Sequence, residues 1–182
     1  MSLPSRQRVV SILLYTVISA VVFQVLIVAL YSRYNLHPDE FSHFGASAYF
    51  QNHLFKLAVD HPAMLNTLIP GWGSSYLFLN DIVYSLAEKA TSLLAAFNLE
   101  DYSRYRLFNF ILLPILLLIF IADKRNGVWF LLALGLTPQV WYIFAYFNGD
   151  ALSMFSSFLL GYFYITNRVE IESSFWEKSR VS

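Results

Sequence analysis

Four long apolar stretches dominate the pattern of hydrophobic and polar positions along this chain. The first has 23 residues and no charge, which at about 1.5 Å per residue is enough to cross a hydrocarbon core about 30 Å thick. The later stretches contain Pro114 and Pro138, which membrane helices tolerate. The pattern predicts an all-α integral membrane protein with spans at about 9–31, 106–122, 128–147 and 151–166.

The segment between the first two spans, residues 32–105, has a different pattern. Residues 39–55 and 76–97 repeat apolar side chains at helical spacing, with polar side chains on the opposite face. Turn-forming residues separate these two stretches. We therefore expect amphipathic helices that lie in the membrane interface, joined in one long loop.

Composition supports a membrane protein, and the charge distribution orients it. The chain is 57% hydrophobic and 13% charged, with a mean hydropathy of +0.52. Arg6, Arg8, the 124–125 turn and the polar tail at 169–182 carry positive residues that favour the cytoplasm. Both termini should then be cytoplasmic and the loop at 32–105 extracytoplasmic. The first apolar stretch is too long for a signal peptide, so we interpret it as an uncleaved anchor within a membrane domain of residues 1–168.

Several classes of function are excluded or disfavoured. Lys+Arg and Asp+Glu are both 12, so no net charge favours nucleic acid. The chain has no cysteine, which excludes disulfides and thiol chemistry. Asp39 occupies the position of the first histidine in an H-E-x-x-H motif, which argues against a zinc hydrolase. The predicted spans hold no Asp, Glu, Lys, Arg or His except Arg106 at one end, which argues against a transporter or proton relay.

The predicted outer face concentrates acidic groups. Asp39 and Glu40 follow the first span, His43 comes three residues later, and Asp150 lies between the third and fourth spans. Adjacent carboxylates can cap a helix, bind a divalent cation such as Mg²⁺ or Mn²⁺, or supply a general base. If a metal is bound, Asp39, Glu40 and Asp150 are its candidate ligands.

Basic groups are predicted on the same face. Arg104 and Arg106 enter the second span from outside, where a guanidinium can bind a lipid-linked phosphate or extend along the interface. His61 stands in an Asp-His-Pro turn, whereas His53 lies in an apolar setting that favours packing.

Taken in order, these motifs resemble the GT-C superfamily of polytopic glycosyltransferases, which includes protein mannosyltransferases and lipid A aminoarabinose transferases. The resemblance covers about residues 9–166. It includes the acidic pair after the first span, His61-Pro62, the arginine at the start of the next span, and an Asp-Ala after the third. The P-D-E-x-x-H form is most similar to an uncharacterised bacterial branch with that fold.

The resemblance implies transfer of a sugar from a polyprenyl-phosphate donor to an acceptor, on the outer face of a bacterial inner membrane. It implies that Asp39 is the catalytic base and Glu40 its acidic neighbour. Substrate contacts would come from His43, His61, Arg104, Arg106 and Asp150, with an arginine at the donor phosphate.

One departure from the family leaves an alternative open. GT-C enzymes usually have many more spans, so this chain looks like the N-terminal half of that fold. The alternative is a non-catalytic GT-C-like membrane subunit, or a module that acts with a partner chain.

Overall fold

The computed structural model describes residues 6–50, 81–123 and 126–179, and every regular element in these residues is helical. This confirms the expected all-α class. The predictions for residues 51–80, including those for His53 and His61, lie outside the described residues. The helices are α1 (Arg6–Tyr31), α2 (Glu40–Tyr49), α3 (Asp81–Leu94), α4 (Asp101–Ala122), α5 (Gly127–Leu136), α6 (Pro138–Tyr142) and α7 (Asp150–Ser179), with a 3-10 turn at Ile143–Ala145.

Two helices are long and apolar enough to cross a membrane, namely Val9–Tyr31 within α1 and the whole of α4. Helix α4 begins five residues before the expected span, because its first turn is polar and the apolar pattern starts only after Arg106. Asp101 in that turn interacts favourably with the positive end of the helix dipole. These two helices are compatible with a protein that inserts into a membrane.

The third expected span is broken. Helices α5 and α6, the latter with its 3-10 extension, are bent by 82° at Thr137 and are apolar and long enough only as a pair. Pro138 explains the break, since the residue before a proline avoids helical angles, and Thr137 is extended at φ −112° and ψ 93°. Proline itself fits at the first position of α6, where no amide hydrogen bond is lost.

Helix α7 begins at Asp150, as the turn before it suggested, but it continues to Ser179, beyond the apolar pattern. It packs along α4 through Phe158 and Tyr162, whose rings contact Phe120. The Tyr162 hydroxyl donates to Asp123 at the end of α4. The two helices therefore pack against each other at the end of α4.

Helix α4 lies at the centre of the fold. Its buried face, including Leu113, Leu116 and Phe120, packs in one cluster with α1 and α5. A second cluster, formed by α2, α3 and Phe147, packs against Phe108 near the start of α4. The second cluster holds together the elements that carry the acidic motif.

Helix α3 has the expected amphipathic character. Val83, Tyr84 and Ala87 are buried, whereas Leu86 and Leu93 on the other side are exposed. Glu88 of the same helix is buried, so the division into an apolar and a polar side is incomplete.

Gly127 provides a test of the packing between α4 and α5. A Cβ at Gly127 would collide with the Phe120 carbonyl, which is backbone and cannot move aside. We expect Gly127→Ala to destabilise the protein by about 1–3 kcal/mol, the usual effect of overpacking. Gly161→Ala is the matched control, because its Cβ would lie 3.7 Å from the Phe130 ring. Thermal unfolding in mild detergent measures both, and equal midpoints for the two variants would contradict this packing.

Candidate functional site

The site is built around a buried ion pair between Glu40 at the start of α2 and Arg106 in the second turn of α4. Both side chains are 0% exposed. Arg106 Nε donates to Glu40 Oε1 at 2.6 Å, and Nη2 donates to Oε2 at 2.6 Å. This bidentate geometry is the strongest arrangement that a guanidinium and a carboxylate can form.

Arg106 also closes the end of α1. Its Nη1 donates to the Ser32 carbonyl at 2.7 Å and its Nη2 to the Arg33 carbonyl at 3.0 Å. The Tyr102 ring lies 4.8 Å from the guanidinium carbon, close enough for a cation–π contact. Arg106 therefore ties the chain that follows α1 to the second turn of α4, with the Arg33 carbonyl also accepting from the Leu36 amide.

Glu40 reaches a third element, the turn of residues 146–150. Its Oε1 accepts from the Phe147 amide at 3.3 Å. Asn109 of α4 donates to the Tyr146 carbonyl at 2.8 Å and to the Asn148 carbonyl at 3.1 Å. The Asn148 side chain then accepts from the Asp150 amide at 2.8 Å and so caps α7. These contacts fix the position of Asp150.

Asp39 is exposed and has an uncommon backbone conformation, with φ 56°. Its carbonyl accepts from the Ser42 and His43 amides, which start α2. The left-handed conformation costs about 1–2 kcal/mol for most residues and is tolerated best by Asn, Asp and Gly. It is sustained because the next residue, Glu40, is anchored by Arg106. A residue held in such a conformation by its surroundings is often functional.

His43 is a buried imidazole on which the charges of Asp39 and Asp150 both act. It is almost fully buried, and its Nδ1 lies 2.6 Å from the Tyr84 hydroxyl of α3. Burial lowers the pKa of His43, while the charges of Asp150, Asp39 and Glu40 act in the opposite direction. The two exposed carboxylates, distant in sequence, therefore act on one imidazole.

His37 is a second buried imidazole of this site. Its Nε2 lies 2.7 Å from Ser32 Oγ, its Nδ1 lies 2.7 Å from the Tyr142 hydroxyl, and its ring stacks on Tyr146. Because Ser32 Oγ donates to the Val28 carbonyl, it accepts from Nε2, and Nδ1 accepts from Tyr142. Desolvation by burial lowers the pKa of His37, so this neutral tautomer is favoured.

The predicted residues divide into three groups. Glu40 and Arg106 are paired at this site, and the charges of Asp39 and Asp150 both act on His43. Arg104 points elsewhere, into a cavity between α3 and α4 with Asp101, Glu88 and Tyr105. His61 lies outside the described residues.

Sequence reasoning missed the supporting residues His37, Tyr84, Asn109, Tyr142 and Asn148. Asn109 and Asn148 gave the clearest signal, as amides beside apolar spans with backbone groups left to satisfy. The partner of His43 could not be found from spacing, because Tyr84 is reached only through the packing of α3 on α2.

A metal ion held by Asp39, Glu40 and Asp150 would require these side chains to point to a common position. Within residues 6–50, 81–123 and 126–179, no group of three His, Asp or Glu side chains is arranged to hold a metal ion. Both Glu40 oxygens already accept from Arg106, so Glu40 would have to break that pair to become a ligand. Asp39 and Asp150 remain as two exposed carboxylates.

Comparison with models of protein families, with curated proteins and with solved structures finds no match to this chain.

The buried pair predicts a large loss of stability when one partner is removed. Glu40→Gln should lower the free energy of unfolding by about 3–5 kcal/mol, because the Arg106 charge stays buried without compensation. Asp101→Asn is the control, since it breaks the Asp101–Arg104 pair, in which Asp101 is 85% exposed. A surface pair contributes about 0–1 kcal/mol. Similar unfolding midpoints for both variants would show that Glu40 and Arg106 are not enclosed as described.

The two histidines predict a pH dependence. Their folded pKa values lie below 6.5, so the unfolded chain takes up protons first as the pH falls. Stability should be highest above about pH 6.5 and should fall as the pH drops from there toward the folded pKa values. We expect the double variant His37→Gln, His43→Gln to show a smaller change in unfolding midpoint between about pH 7 and pH 5. An unchanged pH profile in the double variant would contradict the assignment.

Proposed function

We propose that this chain forms an extracytoplasmic sugar-transfer site of the GT-C type, with a polyprenyl-phosphate-linked sugar as donor. The observation that supports it is that the Glu40–Arg106 pair ties the segment after Asp39 to the turn before Asp150, near the start of α4, where a candidate span begins. The charges of Asp39 and Asp150 both act on His43. A donor anchored in the bilayer requires its acceptor site at this depth.

The proposal includes a topology of four spans with both termini in the cytoplasm. Three contacts support it: Tyr146 near Asn109, Gly127 against Phe120, and Tyr162 against Asp123. They indicate that the segment 126–147 and the helix α7 each extend along most of α4. The exposed apolar side of α3 would lie in the outer interface.

In the proposed reaction, the Asp39 carboxylate takes the proton of an acceptor hydroxyl. The acceptor oxygen attacks the anomeric carbon, the bond from that carbon to the phosphate oxygen breaks, and the lipid phosphate leaves with the electron pair. Asp39 suits this role because it is exposed and its carbonyl accepts from the Ser42 and His43 amides at the start of α2. Asp150 would accept a hydrogen bond from a second hydroxyl and so orient the acceptor.

Glu40 and Arg106 have a different role in this proposal from the one that the resemblance implied. Their atoms are occupied by each other and by the backbone, so we propose that they position Asp39 and Asp150. For the donor phosphate we propose Arg33, whose side chain is exposed on the loop that follows α1.

A non-catalytic membrane subunit is the second candidate. The observation that favours it is that Glu40 and Arg106, the most enclosed charges of the site, both serve packing. Purification in mild detergent distinguishes the two candidates. A stable partner chain with no transfer by the isolated protein favours the subunit, whereas transfer by the isolated protein favours the enzyme.

The central test of the enzyme is Asp39→Asn. Asparagine keeps the tolerance for positive φ and removes the base, so we expect a loss of about 10²–10⁴-fold in sugar transfer without a change in membrane insertion. The assay follows transfer of a labelled sugar from polyprenyl-phosphate donors in isolated membranes.

Glu100→Gln is the matched control for that test. Glu100 is an exposed acid just before α4 and its side chain caps no helix amide. It should retain full transfer. Full activity of Asp39→Asn would refute the base assignment, and a loss in both variants would mean that charge on this face, not a positioned base, is required.

A further inference from the structure

A polar cavity of about 180 Å³ lies between α3 and α4, apart from the Asp39 site. Its lining does not include Glu40, Arg106 or the residues that hydrogen-bond to them. All of its lining residues are polar: Glu88, Thr91, Ser92, Asp101, Arg104 and Tyr105. A cavity lined in this way inside an apolar protein is a candidate for a charged ligand.

The α3 side of the cavity presents hydrogen-bond acceptors. Glu88 is 7% exposed and accepts from the Tyr105 hydroxyl, which leaves it further acceptor capacity. Thr91 donates to the Glu88 carbonyl at 3.0 Å and Ser92 to the Lys89 carbonyl at 2.7 Å. Each hydroxyl hydrogen is thus used within the helix, and the oxygen can only accept. This side suits a ligand with several N–H donors, such as a primary ammonium.

The α4 side presents a donor. Arg104 pairs with Asp101 through Nη2, while its Nε is buried and has no hydrogen-bond partner among the described residues. A buried donor left unpaired costs about 1–3 kcal/mol. An acceptor oxygen at the guanidinium, such as one from a phosphate, would reduce that cost.

The location indicates where such a ligand comes from. The cavity opens at the first turns of α4, a candidate membrane span. Ser92 is followed by Leu93, whose side chain is 79% exposed, and Leu86 on the same side is 50% exposed. An apolar surface beside a polar cavity suits a molecule with a charged head and an apolar tail.

We propose that this α3–α4 cavity binds the phosphoethanolamine headgroup of a membrane lipid. The ammonium donates to Glu88 and to the Thr91 and Ser92 oxygens, and the phosphate accepts from Arg104. A trimethylated ammonium has no N–H to donate, and a glycerol headgroup has no ammonium. The cavity therefore distinguishes phosphatidylethanolamine from phosphatidylcholine and phosphatidylglycerol. This inference does not depend on sugar transfer.

The test uses the full chain in mild detergent, with each of the three lipids titrated into the micelles. The thermal unfolding midpoint is followed against the lipid fraction. We expect phosphatidylethanolamine to raise the midpoint at a fraction at least about tenfold lower than the other two, as one charge-assisted hydrogen bond implies.

Two variants and a control locate the effect. Glu88→Gln should weaken the response to phosphatidylethanolamine about tenfold. Ser92→Ala removes one acceptor at an exposed position, leaves the fold intact, and should weaken the response about threefold. Lys89→Gln, on an exposed neighbour outside the cavity lining, should leave the response unchanged.

Soluble phosphoethanolamine distinguishes the sources of the headgroup. Protection by it supports a site that takes the headgroup from either source, whereas protection by the lipid alone supports the same site with the bilayer as its source. Equal protection by all three lipids would overturn the proposal. A preference for phosphatidylethanolamine that survives in both Glu88→Gln and Ser92→Ala would also overturn it.

Discussion

The buried ion pair of Glu40 and Arg106 is the interaction on which the packing around the first turns of α4 depends. Through it, α4 holds the end of α1, the start of α2 and the turn of residues 146–150. Removing two charges from water is unfavourable unless their hydrogen bonds are satisfied. Here the bidentate pair, two backbone carbonyls and the Phe147 amide supply those bonds. The pair is costly to form alone and stable only with all its partners, so it specifies one arrangement of four chain segments.

The functional groups follow from that arrangement. Asp39 is exposed because its neighbour Glu40 is directed inward, and its left-handed backbone is maintained by that anchor. Asp150 is fixed from the other side, through Phe147, Asn109 and the Asn148 cap. Burial lowers the pKa of His43, while the charges of Asp150 and Asp39 act in the opposite direction. The result is a pair of exposed carboxylates, from distant parts of the sequence, whose charges act on one buried imidazole.

Apolar length and helical periodicity predicted the all-α class, the first apolar helix and most of α4, because these features are local. Other features depend on contacts between distant residues. No spacing pairs Glu40 with Arg106, since the partner could equally have been a phosphate. Pro138 was visible, yet whether a proline kinks a span or breaks it by 82° is decided by packing. The cavity between α3 and α4 requires the relative orientation of two helices, which the pattern alone does not contain.

We infer that the buried pair of Glu40 and Arg106 brings Asp39 and Asp150 to one site. The chain has no cysteine, so spin labels can be attached at Asp39→Cys and Asp150→Cys without further changes. Electron paramagnetic resonance should give one narrow, short distance between the labels at positions 39 and 150. The control pair is Asp39→Cys with Asp123→Cys, and its distance should be longer. Position 123 lies at the far end of α4, about 25 Å along the helix from Arg106. Adding Glu40→Gln should broaden the 39–150 distance. A long or broad distance between the labels at positions 39 and 150 in the otherwise native chain would show that these two positions do not lie at one site.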